Sequence, residues 1–395
     1  MNCDRAISPA AVLPRHRVCF VGIVFFVVCV WLAAPLEAFD QRVTNSAPAV
    51  PFLCYTNEVI DDVPLSIHVV KIQRSSPDWR FCTTLGHGDQ IGMSVVSGQV
   101  GALPRDVGQP LAAINGDFYE KNEKHDGRPR DLQIRFGEII TSPSGHCCFW
   151  LTPDGQPHMT NIVSRFRVIW PKGKETAMGL NGLREDNAVM LYTAAYGAST
   201  RTANGTELIL EQAGPGPWLP LKPGATYTAR IREKRLSGDA PLSRNTMALS
   251  LGPACEIPSN ATPGALIKIV LETIPDLTGV DMAIGGGPSL VENGRAMEWN
   301  GFFRMRHPRT ALGWNDESLF LVVVDGRQGD ISIGMTFSQL ADYLVKLGCK
   351  EAMNLDGGGS TTLWAYGMVK NSPSEGEERP APNALVVLKR NRIND

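Results

Sequence analysis

Short apolar runs separated by Gly and Pro turn clusters such as Gly214-Pro215-Gly216-Pro217 run through the chain, and the clearest succession lies toward its C-terminal end. Leu319 to Val324 is a valine-rich apolar run closed by Asp325-Gly326-Arg327, which predicts a buried strand ending in a polar loop. A helix is expected next. Thr336 and Gln339 have capping-box spacing, Phe337, Leu340, Ala341, Leu344 and Val345 share one helical stripe, and Gly348 is placed to stop it. A second strand follows at Ala352 to Leu355. If the two strands lie in one sheet, the intervening helix makes them parallel, so that Asp325 and Asp356 emerge at the same carboxyl edge, where ligands bind in such units. Upstream, His307 to Gly313 runs into the turn Asn315-Asp316-Glu317. A hairpin there brings Arg309 close to Asp325.

The pattern as a whole predicts an α+β fold, a strand-rich mixed sheet with packed helices that includes a β-α-β unit at 319–356. Residues 51–395 read as a single domain, preceded by a 39–50 linker, and Ser372 to Pro382 is polar enough for a long exposed loop. Residues 1–38 form a leader: Arg5, Arg15 and Arg17 precede an apolar run at 18–34, and Ala38 offers a cleavage point. Export to the periplasm or outside the cell is expected, with an uncleaved membrane anchor through residues 18–34 as the alternative.

Acidic and basic residues nearly cancel, at a formal charge of −2, which nominates no nucleic-acid partner. Without the leader six cysteines remain, Cys54, Cys82, Cys147, Cys148, Cys255 and Cys349, an even count that permits disulfides in an exported chain. For each, a small buried apolar role is the competing reading.

The chemistry concentrates at Asn354-Leu355-Asp356-Gly357-Gly358-Gly359-Ser360-Thr361. Consecutive glycines let backbone amides turn toward an anion, although a tight turn with Asp356 bonded to its own loop fits the same residues. Asn115, after the apolar Leu111 to Ile114, suits a sugar hydroxyl or a loop carbonyl equally, and His307 is a candidate proton donor, with stacking of this Pro-flanked ring on Phe303 or Trp314 as the competing reading. The signatures G-x-S-x-G, H-E-x-x-H and the phosphate-binding loop G-x-x-x-x-G-K-[ST] are absent.

These blocks resemble the phosphodiester glycosidases, a family found in many bacteria and in vertebrate lysosomes. The resemblance rests on Ala113-Ile114-Asn115-Gly116-Asp117-Phe118-Tyr119, Leu191-Tyr192-Thr193, Ile284-Gly285-Gly286-Gly287-Pro288, Arg309-Thr310-Ala311-Leu312-Gly313, Val324-Asp325-Gly326-Arg327 and the glycine loop, in that order over roughly residues 111 to 390. It implies a hydrolase cleaving the glycosidic bond of a sugar-1-phosphodiester in an envelope or extracellular glycan. A noncatalytic glycan-binding module on the same scaffold is the alternative. Asp356, Asp325 and Arg309 are the implied catalytic residues. Asn115, Asp117, Thr193, Thr310, Arg327, Gly357, Gly358, Gly359, Ser360 and Thr361 are the implied substrate contacts. No metal ligand is assigned. The aspartates permit a divalent cation, Ca²⁺ or Mg²⁺, bridging to phosphate, without any calcium-loop spacing to support it.

Overall fold

The computed structural model describes residues 41–44, 50–120 and 127–391; the leader at 1–38 lies outside them. Strands take 43% of the residues and helices 9%, which overturns the α+β expectation. The fold is all-β in character. The only α-helices among the described residues are Val96–Gly101 and Phe337–Lys346. Many strands are too short, or too polar on one face, to register as apolar runs, and this is why the sequence pattern overweights the helices.

The described residues build four sheets. The one that positions the site has eight strands, and its middle runs Leu65–Gln73, Ser318–Val324, Arg309–Trp314, Glu351–Asn354, Ser289–Glu292. Arg309–Trp314 pairs antiparallel with both Ser318–Val324 and Glu351–Asn354. The two strands of the expected crossover are therefore parallel in sense, with the hairpin strand inserted between them. Thr336 and Gln339 cap the connecting helix reciprocally, as their spacing predicts.

Alternation along the strands gives this sheet two different faces. On one, Val322, Val324 and Ala352 pack against Phe337, Leu340 and Leu344 of the helix. On the other, Leu312, Leu321, Val323 and Met353 meet Leu111, Ile114, Leu385 and Val387 from a five-stranded sheet that contains Gln109–Asn115 and Ala384–Lys389. A second apolar core lies among the strands of the remaining two sheets, around Phe166, Leu191, Leu210, Tyr227 and Ile269.

Two smaller expectations change. Within the stretch read as a linker, Gln41–Thr44 forms an edge strand against Asn57–Ile60. The six cysteines that follow the leader are all free thiols, with Cys82, Cys148 and Cys349 buried in the core. Burial pushes the Cys82 and Cys349 thiols up to about 12, the behaviour of small apolar residues.

Candidate active site

Arg309 opens one strand of the hairpin directly opposite Val324, so the neighbouring Asp325 falls at the same sheet edge. The backbones meet as expected, but the side chains do not. Directly paired residues share a face, so Arg309 follows Val324 onto the helix side, whereas Asp325, one residue further, turns to the other. Arg309 is 8% exposed, donates from Nε to Met335 O and from Nη2 to Met305 O, and stacks on the Phe337 ring at 4.2 Å. Burial, and then Arg327, lower its guanidinium to about 10.

Asp325 is 1% exposed and fully engaged. Oδ2 meets His68 Nε2 at 2.9 Å, while Oδ1 accepts from Asn371 Nδ2 and Ser372 N. Asn371 also donates to Thr361 O. Asp325 thus braces the glycine loop from behind and orients neither Arg309 nor Arg327.

Asp356 ends the central strand and carries the glycine loop. Its backbone N–H donates to Gly116 O, its Oδ1 accepts from Gly357 N at 2.9 Å, and its Oδ2 lies 4.0 Å from Arg379 Nη2. The carboxylate side chain is 15% exposed. Gly357 is pressed against the Pro308 carbonyl, where a Cβ would approach to 2.9 Å. Gly358 has φ +63°, and a Cβ there would meet Arg327 Nη2 at 3.0 Å. A Cβ on Gly359 would run into Glu375 and Arg379. The loop is therefore glycine because two guanidinium groups lie directly on it. Arg379 also donates to Ser360 Oγ at 2.7 Å, and Arg327 lies 3.3 Å from His307 Nδ1. Burial, then Arg309 and Arg327, hold His307 below the usual imidazole range.

Several other implied contacts are internal ties. Asn115 donates to Asp356 O and accepts from Thr310 Oγ1 and Thr362 N, so both it and Thr310 are spent holding strands together. Thr361 is 2% exposed. Asp117 is buried, accepts from Asp131 N, and is raised to about 7 by burial working against that bond and Arg130. Thr193 belongs elsewhere: its hydroxyl accepts from Asn181 and Ala195 N beside a cavity that also contains Glu138 and Arg244. Among the described residues no three His, Cys, Asp or Glu side chains converge as a metal site would require.

On the helix side of the edge lies a cavity of about 1010 Å³ whose wall includes Arg309, Asn354, Gly357, Gly286, Gly287, Phe118, Trp299 and Arg130. Three blocks far apart in the chain meet there. Arg130 and Arg379 escape a reading of the sequence, the latter because it falls in the stretch read as an exposed loop. Ser372 to Pro382 instead folds back: Ser372 N bonds Asp325, Glu378 bonds Ser97, and Ala381 pairs with Ser94. His68 is missed as well, since nothing local ties it to Asp325.

The strand-built fold thus sets a carboxylate and a glycine loop close to guanidinium groups at one sheet edge. Residues 256–388 match the family described as phosphodiester glycosidase. The Asn115 and Thr193 blocks lie outside the matched residues. Among curated sequences, the SPbeta prophage-derived uncharacterized protein YomE of Bacillus subtilis (strain 168) is 36% identical over 84 residues, which are 21% of this chain and 13% of that protein. Among solved structures, a hypothetical protein from Synechocystis superposes with a TM-score of 0.69 at 17% identity, covering 89% of this chain and 68% of that one. The putative exported protein BPSS2145 of Burkholderia pseudomallei K96243 gives 0.62 at 17% identity, covering 84% and 74%. These two likenesses establish the fold alone.

Proposed function

We propose that this protein hydrolyses the bond between a sugar's anomeric carbon and a phosphodiester, acting on an exported glycan. The observation that carries this reading is the setting of Asp356, whose carboxylate lies beside Gly357 N–H and 4.0 Å from Arg379, on a loop roofed by Arg327. Glycosidases ordinarily use two carboxyl groups, one of them protonating the leaving oxygen. A departing phosphate is already a good leaving group whose charge guanidinium groups can take up, so one carboxylate suffices at the anomeric centre. Asp356 serves there as base toward water or as nucleophile. Arg309, Arg327 and Arg379 hold phosphoryl oxygens. Asp325 and Asn115 keep the loop in place.

The test is release of free sugar by purified residues 39–395 from a panel of glycosyl phosphodiesters that includes teichoic-acid-like polymers. Product formation that Asp356→Asn abolishes supports the reading. Glycan binding without product would instead identify a noncatalytic module.

A further inference from the structure

Asp131 is completely buried, yet its carboxylate stays charged. Burial alone would raise it, but hydrogen bonds from Ser144, Leu132 N and Cys148 outweigh that and hold it below the usual carboxylate range. One of its oxygens, Oδ2, accepts from Ser144 Oγ at 2.6 Å, from His146 N at 3.1 Å, and meets His146 Nδ1 at 2.9 Å. The Ser144 hydroxyl has one proton to give and Asp131 is its closest acceptor, so the Nδ1 proton of His146 also points to Asp131. That leaves Nε2 as the working nitrogen. No hydrogen bond among the described residues reaches it, and the ring, 51% exposed, lines the same cavity as Arg309, Gly357 and Arg130. A buried carboxylate fixing one nitrogen of an imidazole while the other faces an open cavity is the arrangement that sets a histidine's tautomer for proton transfer.

Arg130 supplies the neighbouring charge. It stacks on Phe118 at 4.3 Å, donates from Nη2 to Gly286 O, and acts through its charge on the buried Asp117, with no ion pair within 4 Å among the described residues. The cavity's two carboxylates, Glu292 and Glu351, have no comparable buried orienter, and Glu351 is occupied by Asn293 N–H.

Building on the function proposed above, we propose that His146, oriented by Asp131, is the general acid that protonates the departing phosphate oxygen, with Arg130 beside it on the phosphoryl group. In this step the anomeric C–O bond breaks and its electron pair passes to the phosphate oxygen, which takes the Nε2 proton of the imidazolium. The oxygen of water, or of Asp356 in a covalent route, bonds to the anomeric carbon. When water attacks, its proton passes to Asp356. When Asp356 bonds first, the neutral imidazole accepts the proton of the water that later releases the sugar. An imidazole and a phosphate monoester lose their protons within about one pH unit of each other, so the transfer is nearly balanced and an imidazole suits this leaving group.

The experiment compares wild type and His146→Gln on two substrates with the same sugar, a 1-phosphodiester and a glycosyl fluoride, whose leaving group needs no proton. A loss of about tenfold or more in the first-turnover rate of leaving-group release from the phosphodiester, with less than threefold in fluoride release, is expected for a general acid, because the first turnover excludes any later step in which the imidazole acts as base. Equal losses on both would make His146 a structural residue, and no loss on either would remove it from the reaction. Asp131→Asn should reproduce the same selective loss if it folds, as judged by a cooperative melt. Wild type that releases sugar from neither substrate overturns the glycosidase reading and this inference together; an active wild type with an unimpaired variant overturns the inference alone.

Discussion

Asn115 donates its amide proton to the Asp356 carbonyl oxygen at 2.6 Å, across 241 residues of chain. With Thr310 and Thr362 on its Oδ1, this buried side chain ties the five-stranded sheet to the end of the central strand. Asn115 accordingly sets the position of the loop that carries the Asp356 carboxylate, and each part of the surrounding frame has its own measurable signature.

Asp356→Asn keeps shape and the Gly357 N–H bond but removes the charge. Steady-state assays on a hydrolysed glycosyl phosphodiester should find kcat down by about 10²–10⁴-fold. The carboxylate is half-buried and lies close to the guanidinium groups, so the melting midpoint should shift by no more than about 4 °C.

Arg379→Ala removes the donor to Ser360 and a cation 4.0 Å from Asp356. A charge-assisted bond is worth about 1.5–3 kcal/mol, which corresponds to a fall in kcat/KM of roughly ten- to a hundredfold. Arg379→Lys should recover only part of it, since an ammonium cannot span both partners as the guanidinium fork does. Wild-type kinetics in the alanine variant would exclude Arg379 from the site.

Asp325→Ala should act on stability first. It leaves the buried His68, Asn371 and Ser372 N–H without their shared acceptor, a class of change that costs about 3–5 kcal/mol. Urea denaturation monitored by fluorescence measures this directly. A variant as stable as wild type with abolished turnover would return Asp325 to the chemistry.

Asp117 gives the protein a pH dependence with a definite sign. Its folded-state value is raised to about 7 from 3.8, so between those limits the folded protein holds a proton the unfolded chain has lost. Its contribution therefore weakens as pH rises from about 4 to about 7. Asp117→Asn keeps an acceptor for Asp131 N and should flatten that slope in melting curves recorded across the window. An unchanged slope would show that Asp117 is ionised throughout.

The hairpin, the capped helix and the parallel sense of the strands leading to Asp325 and Asp356 were legible because each depends on signals within about 40 residues: a turn, a capping box, an apolar run. The all-β character was not. Thr226–Arg235 reads as a charged run from Arg230 onward, yet it is a strand with alternating burial whose inward residues Tyr227, Ala229 and Ile231 sit in the second core. In the site, Asp356, Arg309 and the glycine loop were recognisable from residue type and order. The division of labour between the two aspartates was not, because it is decided by a partner, His68, that lies 257 residues from Asp325.

The inserted position of Arg309–Trp314 and the flanking role of Leu65–Gln73 bear on any attempt to dissect the chain. A fragment restricted to residues 256–388 would keep Asp356 and the two arginines that lie on its loop. It would lose the strand that closes the Ser318–Val324 edge and the whole Gln109–Asn115 backing. Such a piece would expose unpaired amides and apolar surface at once, which favours aggregation over a minimal enzyme. The stretch that matches the family therefore depends for its folding on strands that lie outside it.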